Sequence, residues 1–168
     1  QHLKNHTTPV LILIPPALFN KWGSEIKKWC DRSANSSTIE KGVLQIKDGI
    51  NLLSHGVLQS QNPPVSPEIG LLIIDEAHHF RNPETISSKH AFEICRSSHK
   101  RVIMTATPLQ NGINDLVTVL NLVLCHIPSS VINALVIESI GTSDSEILYP
   151  FITRCVLNKD ENNRVIKN

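Results

Sequence analysis

Two adjacent carboxylates, Asp75 and Glu76, directly follow the apolar run of residues 71–74. A continuous apolar run of this length is typical of a strand that is covered on both faces of a parallel sheet. The two acids would then stand at the carboxyl end of the strand, where open α/β sheets bind their ligands. One carboxylate can hold Mg²⁺ through its water shell, while the other orients or deprotonates an attacking water. The spacing therefore predicts a magnesium–nucleotide site.

A second run, residues 101–104, ends in three apolar residues and leads into a polar segment whose side chains include Thr105, Thr107, Gln110 and Asn111. We expect this run to be a strand that lies beside the strand of the two acids. The Thr-Pro-x-x-Asn pattern by itself predicts a turn, with Asn111 as the cap of the next helix. Such a turn is compatible with a functional role for the same residues.

Together the two segments resemble the lobe-one motifs of superfamily-two helicases and translocases. Asp-Glu-Ala-His is similar to the Walker B (DEAH-box) element, and Thr-Ala-Thr-Pro-Leu-Gln-Asn to motif III of SWI/SNF-type remodelling ATPases. The resemblance implies ATP and Mg²⁺ as cofactors. It implies that Asp75 holds magnesium, that Glu76 polarises the water attacking the γ-phosphate, and that His78 hydrogen-bonds toward motif III. The residues that it assigns to coupling hydrolysis with lobe movement are Thr105, Thr107, Gln110 and Asn111.

Residues 11–18, with the Trp-x-x-Glu pattern that follows them, resemble motif Ia of the same family. In the family this region touches the phosphates of the tracking DNA strand, which implies DNA contacts for Pro16 and Lys21. Lys27 and Lys28 add local positive charge. Two tryptophans in this segment, Trp22 and Trp29, are interpreted as packing anchors of the core or the helix.

Two other kinds of function remain open. Asp75, Glu76, His78 and His79 could form the transition-metal cluster of a metal-dependent hydrolase, although the helical His-Glu-x-x-His spacing is missing. The chain could also be a degenerate RecA-like interaction module that keeps the fold without hydrolysing ATP. A Gly-Lys-Thr loop immediately upstream in the parent gene would favour the ATPase over that module.

The sequence contains no Gly-x-x-x-x-Gly-Lys-Ser/Thr loop, and it begins at Gln1 rather than at a methionine. We therefore expect residues 1–157 to be a partial RecA-like lobe one of a longer protein, and residues 158–168 to be a polar tail or linker toward a second lobe. The parent is expected to be a DNA-dependent ATPase that moves on double-stranded DNA. This chain alone is expected to be inactive.

Composition limits the partners and the compartment. Sixteen basic residues against fifteen acidic residues give a net charge of +1, so a DNA contact would need a local patch. The four cysteines form no Cys-x-x-Cys pair and are interpreted as reduced thiols of an intracellular protein. No apolar run approaches the ~20 residues of a membrane span, and no signal peptide is recognisable.

Strand patterns alternate with helical patterns along the chain, which predicts an α/β fold. We expect a RecA-like three-layer sandwich around a mainly parallel sheet. The predicted strands are residues 10–14, 43–46, 71–74 and 101–104. The predicted helices are residues 17–29, 48–55, 83–97 and 113–124, with a less regular one between breaks at 128–130 and 141–145. Residues 33–38 and 59–68 are predicted to be loops.

Overall fold

The computed structural model of this chain describes residues 8–59, 64–107 and 113–141. Within these ranges a five-stranded sheet has the order β2-β5-β1-β6-β7, and each neighbouring pair runs parallel. Two further strands, β3 and β4, form an antiparallel hairpin. The strands are β1 Val10–Ile14, β2 Asn35–Ser36, β3 Thr38–Glu40, β4 Val43–Gln45, β5 Ile50–Ser54, β6 Ile69–Ile74 and β7 Ser98–Ile103.

Of the described helices, one follows β1, one lies between β6 and β7, and two follow β7. They are α1 Phe19–Cys30, α2 Ile86–Arg96, α3 Ile113–Val123 and α4 Ser129–Gly141, with 3₁₀ turns at Pro16–Leu18, His55–Gln59 and Ala77–Phe80. A second compact unit begins at Ala134, and within it the structure describes the carboxyl-terminal part of α4. Among the helices of the described ranges, none combines the length and the apolar character needed to cross a membrane.

The sheet separates two apolar clusters. Successive side chains of a strand point to opposite faces, and β1 therefore contributes to both clusters. On one face its residues Val10, Ile12 and Ile14 pack with Ile26 of α1. On the other face Leu11 and Leu13 belong to a cluster that also contains Ala91, Ile94, Cys95 and Leu122 from α2 and α3. This arrangement confirms the predicted α/β sandwich with helices on both sides of a parallel sheet.

The predicted helix over residues 48–55 is wrong, because Ile50–Ser54 form β5 at an inner position of the sheet, between β2 and β1. Asn51 is the second residue of this strand and is 0% exposed. Its side-chain amide donates hydrogen bonds to the carbonyl oxygens of Lys47 at 2.7 Å and Val10 at 3.2 Å. A polar residue is thus satisfied inside the sheet, and the surrounding burial decides the strand over the local pattern.

Two smaller predictions are also corrected. The predicted loop over residues 33–38 contains β2 and the start of β3. The predicted strand over residues 43–46 exists as β4, but it pairs in the hairpin instead of the parallel sheet. The hairpin turn explains this local pairing, since Lys41 has a φ of 49° and Gly42 a φ of 78°. Positive φ at both central residues is the geometry of a two-residue type I′ turn.

Candidate functional site at the carboxyl edge of the sheet

The register of the sheet brings several strand ends to one edge. Leu13 of β1 pairs with Ile74 of β6, and Ile74 in turn pairs with Ile103 of β7. On the other side of β1, Ile14 pairs with Ser54 of β5. Residues that follow these strands therefore meet at the carboxyl edge, the usual ligand-binding edge of a parallel sheet. The strand that ends in the acids lies beside the strand that precedes the threonines, as expected from the sequence.

Both oxygens of the Asp75 carboxylate are held by hydrogen bonds. Oδ1 accepts the backbone N–H of Glu76 at 2.9 Å, and Oδ2 accepts the indole N–H of Trp22 at 2.8 Å. The backbone N–H of Asp75 donates to the carbonyl oxygen of Leu13 at 2.9 Å, which continues the ladder between β6 and β1. Asp75 is half-buried. The carboxylate thus has a defined orientation at the end of its strand.

Glu76 adopts a left-handed backbone conformation, with φ 51° and ψ 46°. Such a conformation is uncommon for a residue other than glycine, and residues held in it cluster at functional sites. It turns the chain from β6 into the 3₁₀ turn Ala77–Phe80. The backbone N–H of Ala77 then donates to the carbonyl oxygen of Met104 at 2.9 Å. The acidic turn is therefore tied directly to the end of β7.

His78 stands between the acidic turn after β6 and the segment that follows β7. Its Nδ1 atom lies 3.1 Å from Oε2 of Glu76 and 3.5 Å from Oγ1 of Thr105. Oγ1 of Thr105 also accepts the backbone N–H of Thr107 at 3.2 Å. The structure therefore brings together Glu76, His78 and Thr105, with Thr107 more exposed beside them. The remaining predicted coupling residues, Gln110 and Asn111, lie outside the described residues.

A buried histidine, His55, lies behind this edge and was missed in the sequence because residues 48–55 were predicted to be a helix. Its side chain is 8% exposed, and its Nε2 atom has no hydrogen-bond partner among the described residues. Its ring contacts those of His79 and Phe80. Burial, together with the neighbouring His79, lowers the pKa of His55 to about 4. The signal that could have found it is the short, largely apolar run of residues 50–53, interrupted by Asn51, between Gly49 and Gly56.

The motif Ia region lies against the same edge. Pro16 begins a 3₁₀ turn and is exposed, as is Lys21 in α1. A cavity of about 300 Å³ is lined by Leu18, Lys21, Trp22, Glu25 and Asp75. The predicted DNA-contacting lysine therefore shares a cavity with the predicted magnesium ligand.

The two tryptophans of α1 have different environments. Trp22 is half-buried and packs against the apolar cluster between α1 and the sheet. Trp29 is 71% exposed, so its predicted role as a packing anchor is wrong. Its indole N–H donates to Glu25 at 2.6 Å, and the ammonium of Lys28 lies 4.9 Å from its ring. The polar neighbours on the surface of the helix hold this ring in solvent.

The donor set at Asp75 fits a magnesium–nucleotide complex. Mg²⁺ is usually held by one or two carboxylates together with substrate phosphates and water. Each oxygen of Asp75 has two lone pairs and uses one of them in the hydrogen bonds described above, so each has one left for the ion or its water. Over the described ranges, no group of three or more His, Cys, Asp or Glu side chains is arranged to hold a metal by itself.

Comparison with known proteins assigns the family. The model of the SNF2-related domain family matches residues 1–133, and the chain therefore belongs to the SNF2-related domain family. The ISWI chromatin-remodeling complex ATPase ISW1 of Saccharomyces cerevisiae is 28% identical over 127 residues, which cover 69% of this chain and 11% of that protein. The transcription regulatory protein SNF2 of the same yeast is 32% identical over 143 residues, which cover 77% of this chain and 8% of that protein.

The fold has a solved counterpart. The Sulfolobus solfataricus SWI2/SNF2 ATPase core, determined in complex with dsDNA, matches with a TM-score of 0.67 and 24% identity, over 90% of this chain and 34% of that chain. This likeness confirms the predicted RecA-like α/β fold. This chain spans about a tenth of the length of the two yeast relatives, 11% and 8% respectively.

Proposed function

We propose that this chain is part of lobe one of an ATP-driven motor that moves on double-stranded DNA, as the SWI/SNF resemblance of its sequence implies. The observation that carries the proposal is the position of Asp75 and Glu76 at the carboxyl end of β6, in a turn whose Ala77 N–H donates to the carbonyl oxygen of Met104 after β7. Membership of the SNF2-related domain family supports the same reaction. The relatives described above are named as a chromatin-remodeling complex ATPase and a transcription regulatory protein, which agrees with the intracellular role expected from the sequence.

In the proposed reaction the side chains of the acidic turn have separate tasks. Asp75 would hold Mg²⁺, which neutralises charge on the phosphate oxygens of ATP when it is bound. Glu76 orients the attacking water and accepts its proton. Phosphoryl transfer depends mostly on positioning and charge neutralisation, and the hydrogen bonds that fix Asp75 are suited to positioning. His78 and Thr105 connect the acidic turn with the segment that would respond to DNA and to a second RecA-like lobe.

DNA binding is the second part of the proposal. Pro16 and Lys21 follow β1 at the same edge of the sheet and are exposed. The Sulfolobus protein of similar fold was solved with dsDNA. A surface lysine that neutralises one backbone phosphate releases counterions and binds without regard to sequence. We therefore assign Lys21 to the DNA phosphates. Because Lys21 also lines the cavity at Asp75, it connects the DNA contact with the magnesium site.

The proposal is tested by ATP hydrolysis of the full-length parent with and without double-stranded DNA. DNA should raise turnover, and a motor should also displace a third strand from a DNA triplex when ATP is present. The 168-residue chain alone should show no measurable turnover, because it contains no Gly-x-x-x-x-Gly-Lys-Ser/Thr loop to hold the phosphates. It would also need the arginine finger that the family resemblance assigns to the second lobe, and loss of such a finger alone costs on the order of 10³-fold in related NTPases. A parent that binds partners but neither binds nor hydrolyses ATP would instead be the degenerate interaction module.

A further inference from the structure

Trp22 makes a long-range contact that its position in a helix-packing segment did not lead us to expect. Its indole N–H donates to Oδ2 of Asp75 at 2.8 Å across 53 positions of the sequence. The other oxygen of the carboxylate is already held by the backbone N–H of Glu76. The indole is therefore the side-chain group that completes the orientation of this carboxylate.

The position of the indole follows from the packing of α1. Ile26 is the buried residue of this helix, and Trp22 lies one turn before it on the same face. Both residues pack against the cluster that covers one side of the sheet. Since β1 leads into α1 and pairs with β6, the first half of α1 lies over the end of the strand that carries Asp75. The apolar part of the indole is thus fixed while its N–H faces the carboxylate.

We propose that Trp22 is a positioning residue for the magnesium-binding carboxylate of Asp75, an inference that rests on the proposed function. Hydrogen bonds to a metal-ligating carboxylate orient it, and their loss typically costs about 10- to 100-fold in metal affinity. One indole donor on Oδ2 and one backbone donor on Oδ1 leave a lone pair on each oxygen for the ion or its water. The adjoining cavity gives these lone pairs access to solvent and ligand.

The test separates the indole N–H from the indole ring. Trp22→Phe in the full-length parent keeps an aromatic side chain and removes the donor. Trp29→Phe is the matched control, because it removes the same donor from the same helix at a site where the acceptor is the exposed Glu25. ATP binding is titrated against Mg²⁺ concentration without turnover. We expect Trp22→Phe to raise the Mg²⁺ concentration for half-maximal binding roughly tenfold or more, and Trp29→Phe to leave it unchanged.

A double variant shows whether Trp22 acts through Asp75. In an Asp75→Ala background the carboxylate is gone, so Trp22→Phe should have little further effect on the Mg²⁺ dependence. An equal effect of Trp22→Phe in both backgrounds would mean that the ring has a packing role only, and would overturn the inference. Replacing Trp22 with benzothienylalanine, in which sulfur stands where the N–H was, provides the same test if the phenylalanine variant does not fold.

A structural measurement keeps this inference distinct from the proposed function. The 168-residue chain has two tryptophans, so its nitrogen–proton correlation spectrum should show two indole signals. The signal that disappears in Trp22→Phe belongs to Trp22, and the one that disappears in Trp29→Phe belongs to Trp29. Asp75→Ala should shift the Trp22 signal and speed its exchange with water, while the Trp29 signal stays in place. An unchanged Trp22 signal would overturn the contact itself. A preserved contact in a parent that never binds Mg²⁺–ATP would overturn the proposed function, and the positioning role with it.

Discussion

Nδ1 of His78 lies 3.1 Å from Oε2 of Glu76, and the same atom lies 3.5 Å from Oγ1 of Thr105. A single ring nitrogen can donate one hydrogen bond or accept one, so these contacts compete for it. In the structure the shorter contact is to the glutamate that we assign to water activation. A move of His78 toward Thr105 would free this carboxylate. The pair is therefore a physical link between the proposed hydrolytic site and the end of β7.

The first prediction concerns this link. His78→Ala in the full-length parent should retain ATP binding and should reduce the stimulation of turnover by DNA more than it reduces turnover without DNA. The reason is that the variant keeps Asp75 and Glu76 but removes the contact toward Thr105. His79→Ala is the control, because the exposed His79 ring stacks on His78 at 4.5 Å between ring centroids without joining the contact to Glu76. Equal loss in both variants would contradict a specific role of His78.

The second prediction separates the two acids. Glu76→Gln should keep ATP binding and lower turnover by at least about two decades, since general-base contributions are typically about 10²- to 10⁴-fold. The amide can still hydrogen-bond the water, but it cannot accept its proton. Asp75→Asn should in addition weaken magnesium-dependent ATP binding. Nucleotide titration with and without Mg²⁺ beside steady-state turnover measures both effects, and near-parental hydrolysis by Glu76→Gln would rule out our assignment of the water-activating group.

The third prediction concerns DNA. Lys21→Glu in the parent should weaken DNA binding similarly across sequences and flatten the dependence of log affinity on log salt by about one unit. Lys89→Glu is a control on α2, which lies on the opposite face of the sheet from α1. Fluorescence anisotropy over a range of salt concentrations measures the slope. If Lys21→Glu changes Mg²⁺–ATP binding and leaves the slope intact, the lysine belongs to the cavity beside Asp75 instead.

The fourth prediction concerns the acid stability of the fold. Burial lowers the pKa of His55 to about 4 from an ordinary value of 6.5. Between these values the unfolded chain binds a proton at this position and the folded chain does not, so the free energy of unfolding falls as the pH falls through this window. The slope is at most about 1.4 kcal/mol per pH unit, which amounts to about 3 kcal/mol when complete.

This contribution is measured by urea unfolding at several pH values between 7 and 4 for the wild type and for His55→Gln, which does not titrate. The variant should lose the part of the pH dependence that is due to His55, although its stability at pH 7 is also expected to change. The carboxylates contribute equally to the pH dependence of both proteins, so their contribution cancels when the free energy of unfolding of the variant is subtracted from that of the wild type. If the free energy of unfolding depended on pH in the same way in both proteins, the pKa of His55 would not be lowered by folding, and the prediction would be wrong.

The pattern of apolar and polar residues along the sequence was sufficient to predict the strands that carry the candidate site. The apolar run before Asp75 and strand β1 are each recognisable because burial on both faces of a parallel strand requires continuous apolar residues. The strand before Thr105 is recognisable from the apolar residues 102–104 alone, since among the described strands β7 pairs only with β6 and is largely exposed. The alternation of strands and helices then predicts the sheet, and a parallel sheet brings the ends of its strands to one edge. The acids and the threonine meet there for this reason.

Contacts between residues that are distant in the sequence determine the features that the local pattern did not predict, namely strand β5 and the different environments of the two tryptophans. Asn51 interrupts the apolar run of β5, and the strand forms because it pairs with β1 and β2 while Val10 and Lys47 accept hydrogen bonds from the Asn51 amide. The position of His55 depends on that strand. Trp22 and Trp29 have the same side chain on the same helix, yet one reaches Asp75 and the other faces solvent. Which face of a helix meets the sheet, and what lies opposite each donor, is determined by tertiary packing, because these partners are distant in the chain.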